Sequence, residues 1–146
     1  MNNIPVVILC GGKGTRLSEE TTKKPKPLVE IGGKPILWHI MKSYSYYGFN
    51  KFILALGYKG ESIKKYFLDY RFLQSDFSIS LDSQSEINFY NKPIEKNWEI
   101  RFIDTGEDTL KGARIKRLED YIDANIFHLT YGDGVCDINI KSLFDF

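Results

Sequence analysis

Val6-Val7-Ile8-Leu9-Cys10 is an unbroken apolar run that empties into Gly11-Gly12-Lys13-Gly14-Thr15-Arg16-Leu17, with Lys23-Lys24-Pro25-Lys26-Pro27-Leu28 close behind. A short run that is apolar at every position reads as a parallel strand covered on both faces, since an exposed face would show alternation. That strand delivers a glycine-dense, cationic loop. Glycines let backbone amides crowd an anion, and Arg16 and Lys26 add full charges. The stretch therefore points to phosphate. It matches neither of two widespread phosphate loops. Leu17 stands where a dinucleotide fingerprint needs its third glycine, and Gly12-Lys13 is followed by Gly14 where a Walker loop needs Ser or Thr. The plain alternative is a glycine-rich turn whose charges face water, which the attached Arg16 and Lys-Pro-Lys-Pro segment disfavour.

Working outward, Pro35 takes the position of a first helical residue and Gly48 that of a stop, with Ile36, Leu37, Ile40, Met41, Tyr44 and Tyr47 forming one apolar stripe between them. Lys51 to Leu56 is a second strand, and Glu61 to about Tyr70 a second helix. From Phe77 to Thr105 the periodicity turns to alternation, which predicts strands, some of them in an antiparallel flap outside the main sheet. Ala113 to about Ile122 reads as a helix with Ile115, Leu118 and Ile122 inward. Ile126 to Tyr131 reads as a strand that empties into Gly132-Asp133-Gly134. Strands alternating with helices predict an α/β fold with a mostly parallel sheet.

Ligands of such sheets bind beyond the carboxyl ends of the strands. Should the first and last strands be neighbours, the basic loop and Asp133 face each other across one crevice. A bare carboxylate repels phosphate, whereas a divalent cation between them converts repulsion into binding, and Mg²⁺ favours a carboxylate plus phosphate oxygens. Taken alone, Asp133 reads equally as a turn residue between two glycines.

The 146 residues suit one domain, and 20 basic against 19 acidic residues leave a net charge of +1. That balance argues against nucleic acid as a partner. No apolar stretch approaches a membrane span, and no signal-peptide pattern opens the chain, so a cytoplasmic location is expected. Cys10 and Cys136 are too few for a disulfide scaffold or a zinc site. His39 and His128 sit in apolar patterns and read as packing residues. The cluster Tyr44, Tyr46, Tyr47 reads as core and interface.

With these residues in place, the run Leu9-Cys10-Gly11-Gly12, Gly14-Thr15-Arg16-Leu17 and Lys24-Pro25-Lys26-Pro27-Leu28 resembles the signature of sugar-1-phosphate nucleotidyltransferases. Five further stretches are similar to one branch of that family, the glucose-1-phosphate cytidylyltransferases: Leu17 to Thr21, Val29 to Lys42, Gly57 to Gly60, Asp104 to Gly106 and Thr130 to Val135. Cys10 stands where the family usually has Ala, and Ala113 where relatives often carry a second glycine.

The resemblance implies a Rossmann-like, mostly parallel twisted sheet flanked by helices, of the nucleotide-diphospho-sugar transferase type. It implies transfer of a cytidylyl group from CTP to glucose 1-phosphate, giving CDP-glucose, a precursor of surface-polysaccharide sugars, and pyrophosphate. Leu9 and the backbone of Gly11, Gly12 and Gly14, with Lys13 and Thr15, would line the nucleotide site. Arg16 would neutralise the departing phosphates and Lys26 would stand by the reacting ones, these two being the catalytic pair. Thr105 and Gly112 would contact the cytosine, and Asp133 would be the Mg²⁺ ligand. A uridylyl- or thymidylyltransferase, or a non-catalytic nucleotide-binding module, are the alternatives. The expected partners are CTP, glucose 1-phosphate and further copies of the chain in a homo-oligomer, with no membrane. Because the family's sugar-binding loops and a second metal-binding acid follow the segment seen here, and Ser142 to Phe146 reads as the opening of a helix, residues 1–146 are expected to be an N-terminal nucleotide-binding part.

Overall fold

In the computed structural model the apolar run is the strand from which the rest of the sheet is built. Residues 3–13, 24–82, 85–92, 94, 95 and 97–145 are described. In chain order the elements are β1 (Val6–Leu9), a 3₁₀ turn (Lys26–Leu28), β2 (Glu30–Ile31), β3 (Lys34–Pro35), α1 (Ile36–Tyr46), β4 (Lys51–Leu56), α2 (Gly60–Leu68), α3 (Tyr70–Gln74), β5 (Phe77–Ile79), β6 (Ile87–Phe89), β7 (Glu99–Asp104), α4 (Lys111–Lys116), a second 3₁₀ turn (Glu119–Tyr121), β8 (His128–Tyr131) and α5 (Ile140–Asp145).

The main sheet has the order β7-β4-β1-β8 and every pairing in it is parallel. The chain steps outward from β1 to β4 to β7, then crosses back to place β8 on the other side of β1. That reversal of direction is the switch point at which open α/β sheets leave a crevice. Successive side chains of β1 and β4 divide between two cores. Val6, Ile8, Phe52, Leu54 and Leu56 pack with Leu37, Ile40, Met41 and Tyr44 of α1 and with Ile63 of α2. Val7, Ile53 and Ala55 pack with Leu118 on the opposite face. Double-sided burial explains why neither strand alternates in sequence.

The flap forms as β5 and β6, an antiparallel pair apart from the main sheet, whereas the last alternating stretch joins the main sheet as parallel β7. Two expected helices end early. Glu61 to Tyr70 divides at Asp69, and the expected helix to Ile122 gives way after Lys116 to the second 3₁₀ turn. His128 is buried, with its ring 4.4 Å from Phe49 and 5.4 Å from Tyr44 between ring centres, which bears out the packing role. His39 lends its Nε2 to the Ile31 carbonyl at 2.8 Å. Tyr44 is buried, Tyr46 exposed. Among the described residues no helix is long and apolar enough to cross a membrane.

Burial holds the His128 imidazole below its ordinary pKa. The folded state therefore resists a proton that the unfolded chain accepts below about pH 6.5. Stability should fall as pH drops through that value, by up to about 1.4 kcal/mol per pH unit. Urea unfolding at stepped pH reads this slope, which His128→Phe should flatten.

Candidate functional site at the strand exits

Register brings the strand ends level. Leu9 lies opposite Ala55 on one side and Tyr131 on the other, and Leu56 lies opposite Asp104. Ladder bonds run one step past the strands: Cys10 N–H donates to Ala55 O at 3.0 Å, Gly132 N–H to Leu9 O at 3.0 Å and Thr105 N–H to Leu56 O at 2.9 Å. Above them opens a cleft of about 520 Å³, floored by Leu9, Cys10, Gly11 and Gly12 and walled by Lys26, Pro27, Leu110, Lys111, Arg114, Tyr131 and Asp133. That volume falls within the range of small-molecule sites. At the amino ends of the strands, by contrast, the recess beside Lys51 and Glu99 holds about 30 Å³, the scale of a water.

Lys26 owes its place to backbone stiffness on both sides. Pro25 and Pro27 fix their own φ, Leu28 N–H bonds Pro25 O at 2.8 Å, and Val29 N–H bonds Lys26 O at 3.0 Å. Pro27 and Leu28 are buried. The β2–β3 hairpin then reverses the chain through Gly32 and Gly33, at φ 59° and 79°, the double left-handed pair of a type I′ turn. Ile36 N–H closes the segment on Val29 O at 2.8 Å, tying it to α1.

Asp133 arrives from the other wall. Its neighbour Gly132 has no room for a side chain, since a Cβ there would lie 2.8 Å from Cys10 Sγ and 3.2 Å from Pro27 Cγ. This close approach lets the β8 exit lie against the floor and brings an Asp133 oxygen to 3.4 Å from Lys26 Nζ. Both side chains keep partial solvent contact, at 22% and 41% exposure, so the pair is open to a ligand.

The residue that sequence reasoning missed is Arg114. It is buried, yet its guanidinium meets backbone carbonyls and one hydroxyl instead of a carboxylate. Nη1 donates to Leu56 O at 3.1 Å, Thr105 Oγ1 at 2.8 Å and Gly106 O at 2.7 Å; Nη2 donates to Gly11 O and Glu107 O, both at 2.9 Å. Three strand exits are thus clasped by one planar fork. A Cβ at Gly11 would overlap this guanidinium, and one at Gly57 would lie 2.5 Å from Nη1. The available signal was helical spacing: Arg114 and Leu118 are four apart and share the buried face.

The predicted site residues divide into four groups. Leu9, Gly11, Gly12, Lys26 and Asp133 meet in the cleft. Thr105 is fully buried, and its hydroxyl donates to Leu56 O at 2.7 Å while accepting from Arg114, so it reaches the cleft only through that arginine. Gly112, in α4, stands outside the cleft lining, and Lys13 turns to Asp108 at 2.7 Å and Glu107 at 3.4 Å. Gly14, Thr15 and Arg16 lie outside the described residues. Lys111 and Tyr131 add a further polar pair, 3.1 Å from Nζ to Oη.

Among the described residues no group of three or more His, Cys, Asp or Glu could hold a metal by protein ligands alone. The donor set suits Mg²⁺ all the same, because that ion takes one or two carboxylates and completes its shell with phosphate and water. Cys10 Sγ is buried in the floor, and burial with the nearby Asp133 charge drives its thiol pKa far above the ordinary range.

Residues 5–99 match the family model described as nucleotidyl transferase. The chain is 56% identical over 141 residues to the probable glucose-1-phosphate cytidylyltransferase of Bacillus subtilis and 50% identical over 141 residues to the glucose-1-phosphate cytidylyltransferase of Salmonella typhimurium, each alignment covering 96% of this chain and 54% of the relative. The chain therefore spans about half the length of these curated relatives. Among solved structures, HddC from Yersinia pseudotuberculosis complexed with GMP-PN superposes with a TM-score of 0.71 at 30% identity, over 97% of this chain and 53% of that one.

Removing the clasp strands several buried carbonyls, each worth about 1–3 kcal/mol. Arg114→Ala should lower unfolding free energy by roughly 2–4 kcal/mol, and Arg114→Lys, which keeps charge without the fork, should recover less than half; urea unfolding measures both. In thiol titration at neutral pH the exposed Cys136 should react promptly while Cys10 stays protected until the protein unfolds.

Proposed function

Since the chain belongs to the nucleotidyl transferase family, we propose that the cleft holds CTP and that the protein transfers its cytidylyl group to glucose 1-phosphate, giving CDP-glucose and pyrophosphate. One observation carries this reading: Lys26 and Asp133 converge from two separate walls over a glycine floor at the switch point of the sheet. Likeness over 96% of the chain to relatives named for that reaction supports it.

An oxygen of the sugar phosphate attacks the α-phosphorus of CTP; the bond from that phosphorus to the bridging oxygen breaks, and pyrophosphate leaves with the electron pair. The attacking phosphate is already ionised at neutral pH, so no protein base has to take a proton. Catalysis then consists of alignment and charge stabilisation. The amides of Gly11 and Gly12, continued by Gly14 and Thr15, cradle the phosphates. Lys26 sits against the reacting phosphate, held there by its flanking prolines. Arg16 compensates the charge growing on the leaving group. Asp133 would hold Mg²⁺, whose chemistry would be to supply positive charge against that of the phosphates. Arg114 holds the floor and, through Thr105, the loop that faces the base. Lys13, turned to Asp108 and Glu107, and Gly112, outside the cleft lining, take no part in this reading. The nucleotidyl chemistry and the sugar both belong to the whole protein, of which copies associate as a homo-oligomer.

Pyrophosphate release from CTP plus glucose 1-phosphate, with Mg²⁺ titrated, tests the reading. Lys26→Met and Arg16→Ala should each lower turnover by about 10²-fold or more, and Asp133→Asn should weaken the Mg²⁺ dependence. Release that needs neither Lys26 nor Mg²⁺ would contradict these roles. A chain that binds CTP without any release would favour a non-catalytic module. Competition by UTP and dTTP reads base preference, and stronger competition than by CTP would move the assignment to the uridylyl or thymidylyl alternative.

A further inference from the structure

Two segments meet along one side of the cleft: the glycine floor after β1 and the loop that runs from β7 to α4. Arg114 joins them from within, its Nη2 donating to Gly11 O and to Glu107 O, both at 2.9 Å. A little further along each segment a second joint forms. Lys13 Nζ lies 2.7 Å from Asp108 Oδ1 and 3.4 Å from Glu107 Oε1, although Lys13 and Asp108 stand 95 positions apart in the sequence. Neither Lys13 nor Asp108 lines the cleft, yet each is the chain neighbour of a residue that does, Gly12 on the floor and Thr109 on the wall. The pair therefore ties floor to wall from outside the cavity.

One joint at Gly11 and Glu107 would leave the two segments free to pivot about it. Nothing packs on Gly12 to prevent this, since a Cβ built there would meet no atom within 4 Å. The wall beyond Asp108 is held elsewhere: Arg117 donates to Thr109 Oγ1 at 2.7 Å, and Lys111 Nζ to Tyr131 Oη at 3.1 Å. Lys13 carries the end of the floor to that fixed wall. The pair adds little to stability, because its side chains are 47% and 85% exposed and ion pairs so open to water are weak. It restricts two segments that already touch, and a cleft whose walls are set beforehand loses less freedom when a ligand enters. Charge argues against a direct phosphate contact for Lys13. Its ammonium already faces two carboxylates, and these would repel an anion drawn to the same place.

We infer that the Lys13–Asp108 pair, supported by Glu107, is a positioning element that locks the angle between the glycine floor and the wall of residues 109–111, and so sets the opening of the cleft. That the ligand is a nucleotide rests on the function proposed above; the lock itself does not.

Three variants of the otherwise intact protein test it: Lys13→Met, the double change Glu107→Gln with Asp108→Asn, and all three substitutions together. Equilibrium titration with CTP and Mg²⁺ should show affinity lower by about threefold in each of the first two, the size expected of an open ion pair, with the triple variant falling no further and urea unfolding unchanged. Carboxylates that merely repel phosphate, or a Lys13 that binds it directly, require the opposite sign for the double change. Tighter CTP binding there, or losses that simply add in the triple variant, would overturn the inference. Two NMR readings need no ligand. The Lys13 ammonium holds the Asp108 carboxyl below the usual carboxylate range, so its titration should move up in Lys13→Met. Backbone ¹⁵N order parameters of Gly12 and residues 109–111 should drop in the same variant while those of β1 and β4 stay level. A titration or a set of order parameters that does not move would contradict the lock. A protein that shows both changes and takes up no CTP would leave it standing and defeat only the nucleotide assignment.

Discussion

A full positive charge enclosed by carbonyl oxygens is the constraint on which the site depends. The Arg114 guanidinium joins Gly11 after β1, Leu56 at the end of β4, and Thr105, Gly106 and Glu107 after β7. Those segments come from three strands far apart in sequence, and nothing in the sheet ladder alone dictates how their loops turn once the strands end. A planar donor array does dictate it, because the two N–H groups of Nη1, shared among Leu56 O, Thr105 Oγ1 and Gly106 O, and the two of Nη2 point in fixed directions. Desolvation opposes the charge, pulling the arginine below its ordinary pKa, and the carboxylates of Asp104 and Asp108 act in the other direction. The balance leaves a clasp that is strong only while all its acceptors stay in place.

From that fixed floor the two functional walls are set by rigid backbone. Lys26 comes from a proline-flanked 3₁₀ turn locked by a glycine hairpin; Asp133 comes from a strand end that can lie flat only because residue 132 has no side chain. Each wall therefore places its charge without relying on side-chain packing at the charge itself, which leaves the Lys26–Asp133 pair accessible. Half-exposed ion pairs contribute little to stability. The pair makes physical sense as a site awaiting a polyanion and a cation, where the lysine takes the phosphate and the carboxylate takes the metal in the proposed reading.

The sequence made some of this plain and hid the rest for identifiable reasons. β1 and α1 were legible because composition, periodicity and punctuation agree there: an apolar run closed by glycines, then a stripe between Pro35 and Gly48. The meeting of the Gly11–Gly12 floor with Asp133 followed from a rule about strand ends, and the β1–β8 pairing satisfies its condition. The approach of Lys26 to Asp133 did not follow from it, because Lys26 reaches the cleft from a 3₁₀ turn and not from a strand end. Arg114 stayed hidden because a charged residue on a helix is read as solvent-facing, although its spacing from Leu118 placed it inward. The helix break at Asp69 was equally obscure in one dimension, since Tyr70 is drawn in by Trp38 and Glu95, 2.9 Å and 3.0 Å from its hydroxyl, residues distant in the chain. The burial of Thr105 was not legible either, because its hydroxyl is engaged by Leu56 O and Arg114, groups that only the fold brings to it.

A crystal structure with CTP and Mg²⁺ bound is the most direct measurement of the central claim. Phosphate oxygens within hydrogen-bonding reach of Lys26 and the Gly11–Gly12 amides, with the ion between them and Asp133, is the result expected. A nucleotide seated anywhere other than the crevice between β1 and β8, or phosphates that leave the Lys26–Asp133 pair intact, would contradict it.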